Sequence, residues 1–338
     1  MRIALYQEFG EGCRRLTHEL LPDAPGWELI ETRHVGADIG SLTDEDADII
    51  RSAEVVIATP LSPLPDAIYD PDGRVRLIQL LSAGYDTVDL DRCRAAGQLL
   101  ATNGGANAVA VAEHTILLIL SVLRRLPVID RDTRSGRWTA AKTPEWEPHE
   151  LEGRTVGLVG FGQIGRQVAQ RLHPFGVELQ YFDVVQAPSE VTESLKVRHV
   201  SWTELLETSD IVSLHVPLME STRGLIGAAE LAQMKPDAIV INTARGGVID
   251  EDALVDALQQ GRLGGAGLDA FVEEPFPAGQ ALAALDSVVL TPHFAGPTYE
   301  SWTKRIRFAY ENIARVERNQ RPESVVHELG DLPLRPPR

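Results

Sequence analysis

Apolar residues in this chain gather in short unbroken runs. RIAL, EVVIATP, LIQLLSAG and LLATN come early; TVGLVG, ELQYFD, DIVSLHVP, AIVINTA, GAGLD and VVLTP come later. Strict alternation would mark strands with one wet face, whereas runs apolar at consecutive positions mark strands buried on both faces, as in parallel sheets covered by helices. Helix-patterned stretches such as IGRQVAQRLHPFG and DEDALVDALQQG separate many of the runs. The pattern predicts an α/β protein built on parallel sheets.

The two series part around TNGGANAVAVAEH, where a glycine-rich turn leads into an apolar helix, and the second ends near Ala295–Pro297. Beyond it, YESWTKRIRFAYENIARVERNQ has the apolar stripe and charged outer face of one long amphipathic helix. If that helix packs back on the first series, the first domain is discontinuous: residues 1–102 with 297–338, and 103–296 inserted between them. A length of 338 residues suits two domains. The most apolar stretch, AVAVAEHTILLILSVL (Ala108 to Leu123), carries Glu113 and His114 near its start and is too short to span a bilayer. It reads as a buried or interface helix, and the closing LPLRPPR as a loose tail.

Charge narrows the partners. With 32 basic against 49 acidic side chains the formal charge is -17, which repels nucleic-acid phosphates and anionic lipid headgroups. A small anionic substrate stays open, since one well-placed arginine reverses the local potential. Cys13 and Cys93 form no CxxC or metal-like pair, which argues against a disulfide framework and a structural zinc site and suits a reducing cytoplasm. The opening MRIALYQEF does not resemble a secretory signal.

The first chemical motif is GLVGFGQIG, with Gly160, Gly162 and Gly165 in G-x-G-x-x-G spacing directly after the apolar run TVGLV and opening a helix pattern. In that setting one glycine makes a tight turn, a second admits a pyrophosphate to the backbone, and the third lets helix and strand pack closely, with Gln163 and Ile164 in the first helical turn. The helix N-terminus offers partial positive charge and free N–H groups. Asp183 ends the next run, ELQYFD, where a carboxylate accepts both ribose hydroxyls of NAD and repels the 2′-phosphate of NADP; VVQAP after it offers no arginine. NAD is the expected cofactor. His293, pinned behind a proline in TPHFAG, is by itself open among a packed core residue, a metal ligand and a proton donor, though no paired ligand spacing supports a metal.

INTARGGVIDEDAL, GAGLDAFVEEP and LTPHFAG, in that order after the glycine motif, closely resemble the D-isomer-specific 2-hydroxyacid dehydrogenase family, from about Leu77 to Gly296. The resemblance implies two Rossmann-like or flavodoxin-like domains with a cleft between them, the nucleotide-binding domain inserted into a discontinuous substrate domain. It implies NAD(H)-dependent interconversion of a small 2-oxo acid and a D-2-hydroxy acid, glyoxylate or hydroxypyruvate being the expected kind. By the same resemblance Arg245 binds the substrate carboxylate, His293 is the general acid/base, and Glu274, directly before Pro275, orients it; Glu273 is left to solvent. His215, Pro217, Thr222, Thr243, Ala244 and Asp269 should line the ribose and nicotinamide, and amides around Ser82, Ala83 and Gly84 should cradle the substrate carboxylate. A homodimer through the nucleotide-binding domain is implied, using the helix from Ala108 to Leu126 and the arm RWTAAKTPEWEP.

Relatives of this kind also include 3-phosphoglycerate dehydrogenases, formate and phosphite oxidisers, and NAD-binding corepressor scaffolds. ATPLSPLPD (Ala58 to Asp66) has no basic residue for a phosphate, formate enzymes carry glutamine where Glu274 stands, and Ala83 replaces the lysine of phosphite enzymes. The departures LDAF, MKPDA and FD remove no functional group. Nothing in the chain resembles a peptide-docking extension.

Overall fold

The computed structural model describes residues 1–6, 10–32, 42–59, 63–138 and 148–337. The arm expected at a dimer contact falls largely on 139–147, outside the described residues, as do positions 60–62 of the ATPLSPLPD loop. The chain divides into two compact units, Met1–Asn107 with Pro297–Arg338, and Ala108–Gly296. Asn103–Asn107, expected with the nucleotide-binding domain, belongs to unit 1. Its bonds explain why: Asn103 N–H donates to Ser82 O at 3.0 Å, and its side-chain amide to Leu81 O at 3.4 Å.

Unit 1 holds strands β1 (Arg2–Tyr6), β2 (Glu28–Glu31), β3 (Val55–Ala58), β4 (Leu77–Leu80) and β5 (Leu99–Ala101), with helices α1 (Glu11–Glu19), α2 (Asp44–Ser52) and α3 (Leu90–Ala96). All strand pairs are parallel and the order is β2-β1-β3-β4-β5, the flavodoxin-like order. The C-terminal helix, Tyr299–Glu317, is capped by Thr298, whose hydroxyl accepts from Ser301 N–H at 3.1 Å. It turns Ile306, Ala309, Tyr310, Ile313 and Val316 onto the core formed by Ile3, Leu5, Val55, Ile57, Leu77 and Leu99. That spacing is the 3.6-residue stripe read in the sequence, and each large apolar side chain so buried contributes about 1.5–3 kcal/mol. The expected loose tail is instead fastened. Arg76 Nε donates to Arg335 O at 2.5 Å and Arg335 Nη2 to Pro71 O at 2.7 Å, while Leu332 and Leu334 pack against the same core.

Unit 2 holds α4 (Ala108–Leu123), α5 (Leu126–Arg134), β6 (Thr155–Val159), α6 (Gln163–Leu172), β7 (Glu178–Phe182), α7 (Ser189–Leu195), β8 (Val197–His199), α8 (Trp202–Thr208), β9 (Ile211–Leu214), α9 (Ala228–Gln233), β10 (Ile239–Asn242), α10 (Glu251–Gln259), β11 (Gly265–Leu268) and β12 (Val288–Leu290). Its parallel sheet runs β12-β11-β10-β9-β6-β7-β8, a doubly wound order that reverses at β6. Every strand therefore ends on the same edge. Among the described residues no helix is long and apolar enough to cross a membrane.

Ten of these strands coincide with the apolar runs of the sequence; β2 and β8 do not. Both are edge strands, β2 of the five-stranded sheet and β8 of the seven-stranded one, and neither ELIE nor VRH is a continuous apolar run.

Candidate active site

The carboxyl edge of the unit 2 sheet gathers the predicted site residues, because each follows directly on a strand. Gly160–Gly165 follows β6, Asp183 β7, His215 and Pro217 β9, Thr243–Arg245 β10, Asp269 β11 and Thr291–His293 β12. Open parallel sheets bind ligands at this edge.

The glycine turn fits a dinucleotide. Gly160 has φ +92°, and a Cβ there would lie 2.6 Å from His215 O; at Gly165 it would lie 2.4 Å from Gly160 O. Gly162 has open space around its Cβ position and begins α6 with no side chain capping the first-turn amides, so those N–H groups remain for an anion. Asp183 does more than end its strand. One carboxylate oxygen accepts from Phe161 N–H at 2.7 Å and the other from Val185 N–H at 3.0 Å, so it also fastens the glycine turn.

Beside this turn, His215 Nε2 lies 3.0 Å from Ser213 Oγ, while its buried Nδ1 has no partner among the described residues. Burial holds the ring neutral, its pKa pushed down to about 3. Thr222 closes its own loop: its hydroxyl donates to Pro217 O at 2.6 Å and accepts from Met219 N–H at 2.8 Å.

After β10 the bend that presents Arg245 is held by Asn242, a residue the sequence reading quoted without a role. Its side-chain oxygen accepts from Ala244 N–H at 3.0 Å and its amide donates to Arg245 O at 2.9 Å. The Thr243 hydroxyl turns inward and shares a 3.0 Å bond with Thr115 of α4.

His293 sits in the left-handed region at φ 52°, a conformation that costs a non-glycine residue about 1–2 kcal/mol and persists only where surroundings impose it. Asp269 imposes it. Its carbonyl accepts from His293 N–H at 2.8 Å; its carboxylate accepts from the Thr291 hydroxyl at 2.5 Å, Phe294 N–H at 2.8 Å and Ala295 N–H at 2.9 Å. Thr291 spends its only proton on Asp269, and His114 Nε2 lies 2.9 Å from the same hydroxyl and 3.4 Å from an Asp269 oxygen. Burial raises the Asp269 carboxyl, and bonds from His114, Thr291, Phe294 and Ala295 outweigh it, leaving the pKa below the ordinary value. Asp269 is 1% exposed, and both of its carboxylate oxygens accept from groups of this turn.

The side chain so presented meets Glu274. His293 Nδ1 lies 2.8 Å from one Glu274 oxygen, and the other accepts from Phe271 N–H at 2.9 Å. Burial pushes the Glu274 carboxyl up, but the bonds from His293 and Phe271 N–H and the nearby charges of His293 and Arg245 bring it below the usual value. Both partners keep over a third of their side-chain surface open, at 39% and 36%. With Nδ1 committed to the carboxylate, Nε2 is the nitrogen left for a reacting group. Glu273 is exposed. In unit 1, the loop Ser82–Gly84 follows β4, and Ser82 Oγ donates to Gly84 O at 2.8 Å. Among the described residues no group of three or more ligating side chains gathers that could hold a metal ion.

Known proteins resemble this chain over most of its length. The family model for "D-isomer specific 2-hydroxyacid dehydrogenase, NAD binding domain" matches residues 116–295, more than half of the chain and all within unit 2. A glyoxylate reductase of Thermofilum pendens is 36% identical over 284 residues, 82% of this chain and 83% of that protein. Among solved structures, apo D-mandelate dehydrogenase of Rhodotorula graminis superposes with a TM-score of 0.82 at 27% identity, covering 100% of this chain and 99% of the other. D-lactate dehydrogenase of Lactobacillus jensenii with NAD+ gives a TM-score of 0.80 at 28% identity, covering 96% and 99%.

Proposed function

This chain belongs to the D-isomer-specific 2-hydroxyacid dehydrogenase family, and from that premise we propose that it interconverts a small 2-oxo acid and the matching D-2-hydroxy acid, with glyoxylate or hydroxypyruvate as the preferred kind. The observation that carries the reading is the 2.8 Å His293–Glu274 pair at the carboxyl edge of the nucleotide-binding sheet, with the Arg245 charge beside it.

The roles follow from the chemistry of the groups. When bound, the nicotinamide supplies the hydride that reduces the ketone. The glycine turn and the α6 N-terminus hold the pyrophosphate, and Asp183 takes the ribose hydroxyls, which favours NAD over NADP. Arg245 holds the substrate carboxylate through its planar pair of donors, fixing the carbonyl carbon in place. The oxygen that develops negative charge takes its proton from His293 Nε2, and the same nitrogen accepts it back in the oxidative direction. Glu274 keeps the ring oriented through the 2.8 Å contact at Nδ1, which leaves Nε2 for the substrate oxygen.

The reading extends to a homodimer joined through unit 2, supported by the exposed apolar side chains Leu117, Leu126 and Trp138. A cytoplasmic setting suits the two free cysteines. The test is NADH oxidation with a panel of 2-oxoacids including glyoxylate, hydroxypyruvate and pyruvate. Turnover is expected on at least one of them; NADH binding without turnover on any would favour a scaffold instead.

A further inference from the structure

Glu251 opens α10, yet its side chain leaves that helix. Asp250 already caps it by accepting from Ala253 N–H at 3.1 Å, so Glu251 is free to reach across and accept from Val272 N–H at 2.7 Å. The site is an awkward one for an acid. Burial raises the Glu251 pKa, and Asp252 and Glu274 add like charge; the Val272 bond is the one influence that opposes them. A half-buried carboxylate facing two others is a cost that a more apolar residue would avoid, so the bond to the loop is what the position gains.

The peptide that Glu251 grips is held from the other side by Arg245's neighbour. A Cβ on Gly246 would lie 1.9 Å from Phe271 C, 2.2 Å from Phe271 O and 2.3 Å from Val272 N. The Phe271–Val272 peptide therefore lies directly on the Gly246 backbone, where only glycine admits it. The same loop continues to Glu274, which accepts from Phe271 N–H with one oxygen and meets His293 with the other. Phe271 anchors it further against Phe276, with ring centroids 4.5 Å apart.

We propose that Glu251 is a positioning residue: together with Gly246 it clamps the Phe271–Val272 peptide, and so sets where Glu274 stands relative to His293 and Arg245. Glu251 touches neither histidine nor substrate; it acts through the loop. The inference rests on the acid/base reading of His293, and the charged groups facing the loop are Glu251, Asp252, Arg245, Glu274 and His293.

The test compares Glu251→Ala, Glu251→Gln and His293→Gln in 2-oxoacid reduction by NADH. Glu251→Ala should lower kcat by about tenfold, since small misplacements of a catalytic group carry costs of this order. It should leave the KM for NADH unchanged, because Glu251 acts on the loop that carries Glu274 and not on the nucleotide turn. Glu251→Gln keeps an oxygen that accepts the Val272 N–H and should recover kcat to within about threefold of wild type. A Gln variant no better than the Ala variant would overturn the proposal. So would a wild-type kcat in Glu251→Ala while His293→Gln is impaired; silence of both variants would instead remove the acid/base reading itself. Should Glu251→Ala fail to fold, amide hydrogen exchange of the wild-type protein decides the matter. Val272 N–H, on a largely exposed residue, should exchange slowly, and fast exchange would end the idea.

Discussion

Two turns on the same sheet edge make the same unusual backbone excursion by different means. After β6 the chain enters positive φ at Gly160, and after β12 it does so at His293. Where only a backbone shape is wanted, at the Gly160 turn, glycine supplies it without strain. Where a side chain must stand in that shape, the strain remains, and Asp269 offsets it with bonds to Thr291, Phe294, Ala295 and the His293 amide. The first turn is encoded by a missing side chain and the second by a buried carboxylate. A glycine turn is thus broken by adding an atom, and the histidine turn by removing a bond.

The largest expected effect comes from the residue that the second turn presents. His293→Gln should lower kcat on the order of a hundredfold or more with NADH affinity nearly unchanged, because it removes proton transfer and leaves the nucleotide turn intact. Stopped-flow rates and NADH fluorescence titration separate the two quantities; wild-type turnover would exclude the assignment. Next comes the first turn. Gly160→Ala places a Cβ 2.6 Å from His215 O at φ +92°, so NADH affinity should fall by about tenfold or more. Unchanged binding would mean that the turn is not the phosphate cradle.

A smaller effect is expected behind the histidine. Asp269→Asn retains the size of the side chain but leaves one oxygen acceptor, so either the Ala295 N–H or the Thr291 hydroxyl with the Phe294 N–H loses its partner. We expect kcat to fall by several-fold to about tenfold, with a change in acid stability that has a definite sign. Folded Asp269 binds its proton less readily than unfolded Asp269, so the unfolded chain takes up that proton first as pH falls. Its contribution is complete above the ordinary aspartate value, about pH 4, and is lost as pH drops through the lower folded value. The variant should lack that component in urea unfolding measured from pH 5 downward.

Much of this was legible in the chain, and the failures have physical causes. Buried strands announce themselves, the edge strand β5 included; β2 has no fully buried residue and β8 only Val197, and their apolar content is diluted accordingly. The glycine turn was readable from its spacing, and Gly160 and Gly165 each answer a steric demand, whereas Gly162 stands in open space. His293 alone was ambiguous between core, metal and acid; the resemblance chose, and the distance to Glu274 supplies the geometry. Asn242, Thr291 and Glu251 were passed over because a polar residue at a strand end or helix start has an ordinary reading as a cap or turn former. For Thr291 and Glu251 the partners across 20 or so positions, Asp269 and Val272, reveal the second task.

The smallest expected effect sharpens the comparison from the glycine side. His215 contributes the carbonyl against which Gly160 turns, and its ring is held neutral by burial with a pKa of about 3. Unfolded, the same ring takes a proton near pH 6.5. Between about pH 6.5 and 3 the unfolded chain therefore binds more protons at this position, and stability declines steadily as pH falls. The loss at Asp269 begins lower, near pH 4, so the two turns weaken over different windows. His215→Gln should flatten the stability curve above about pH 4 and leave the steeper acid limb of Asp269 in place, while Asp269→Asn should do the reverse. If both variants flatten the same window, the two turns are not separately held, and the division between a turn made by glycine and one made by a carboxylate fails.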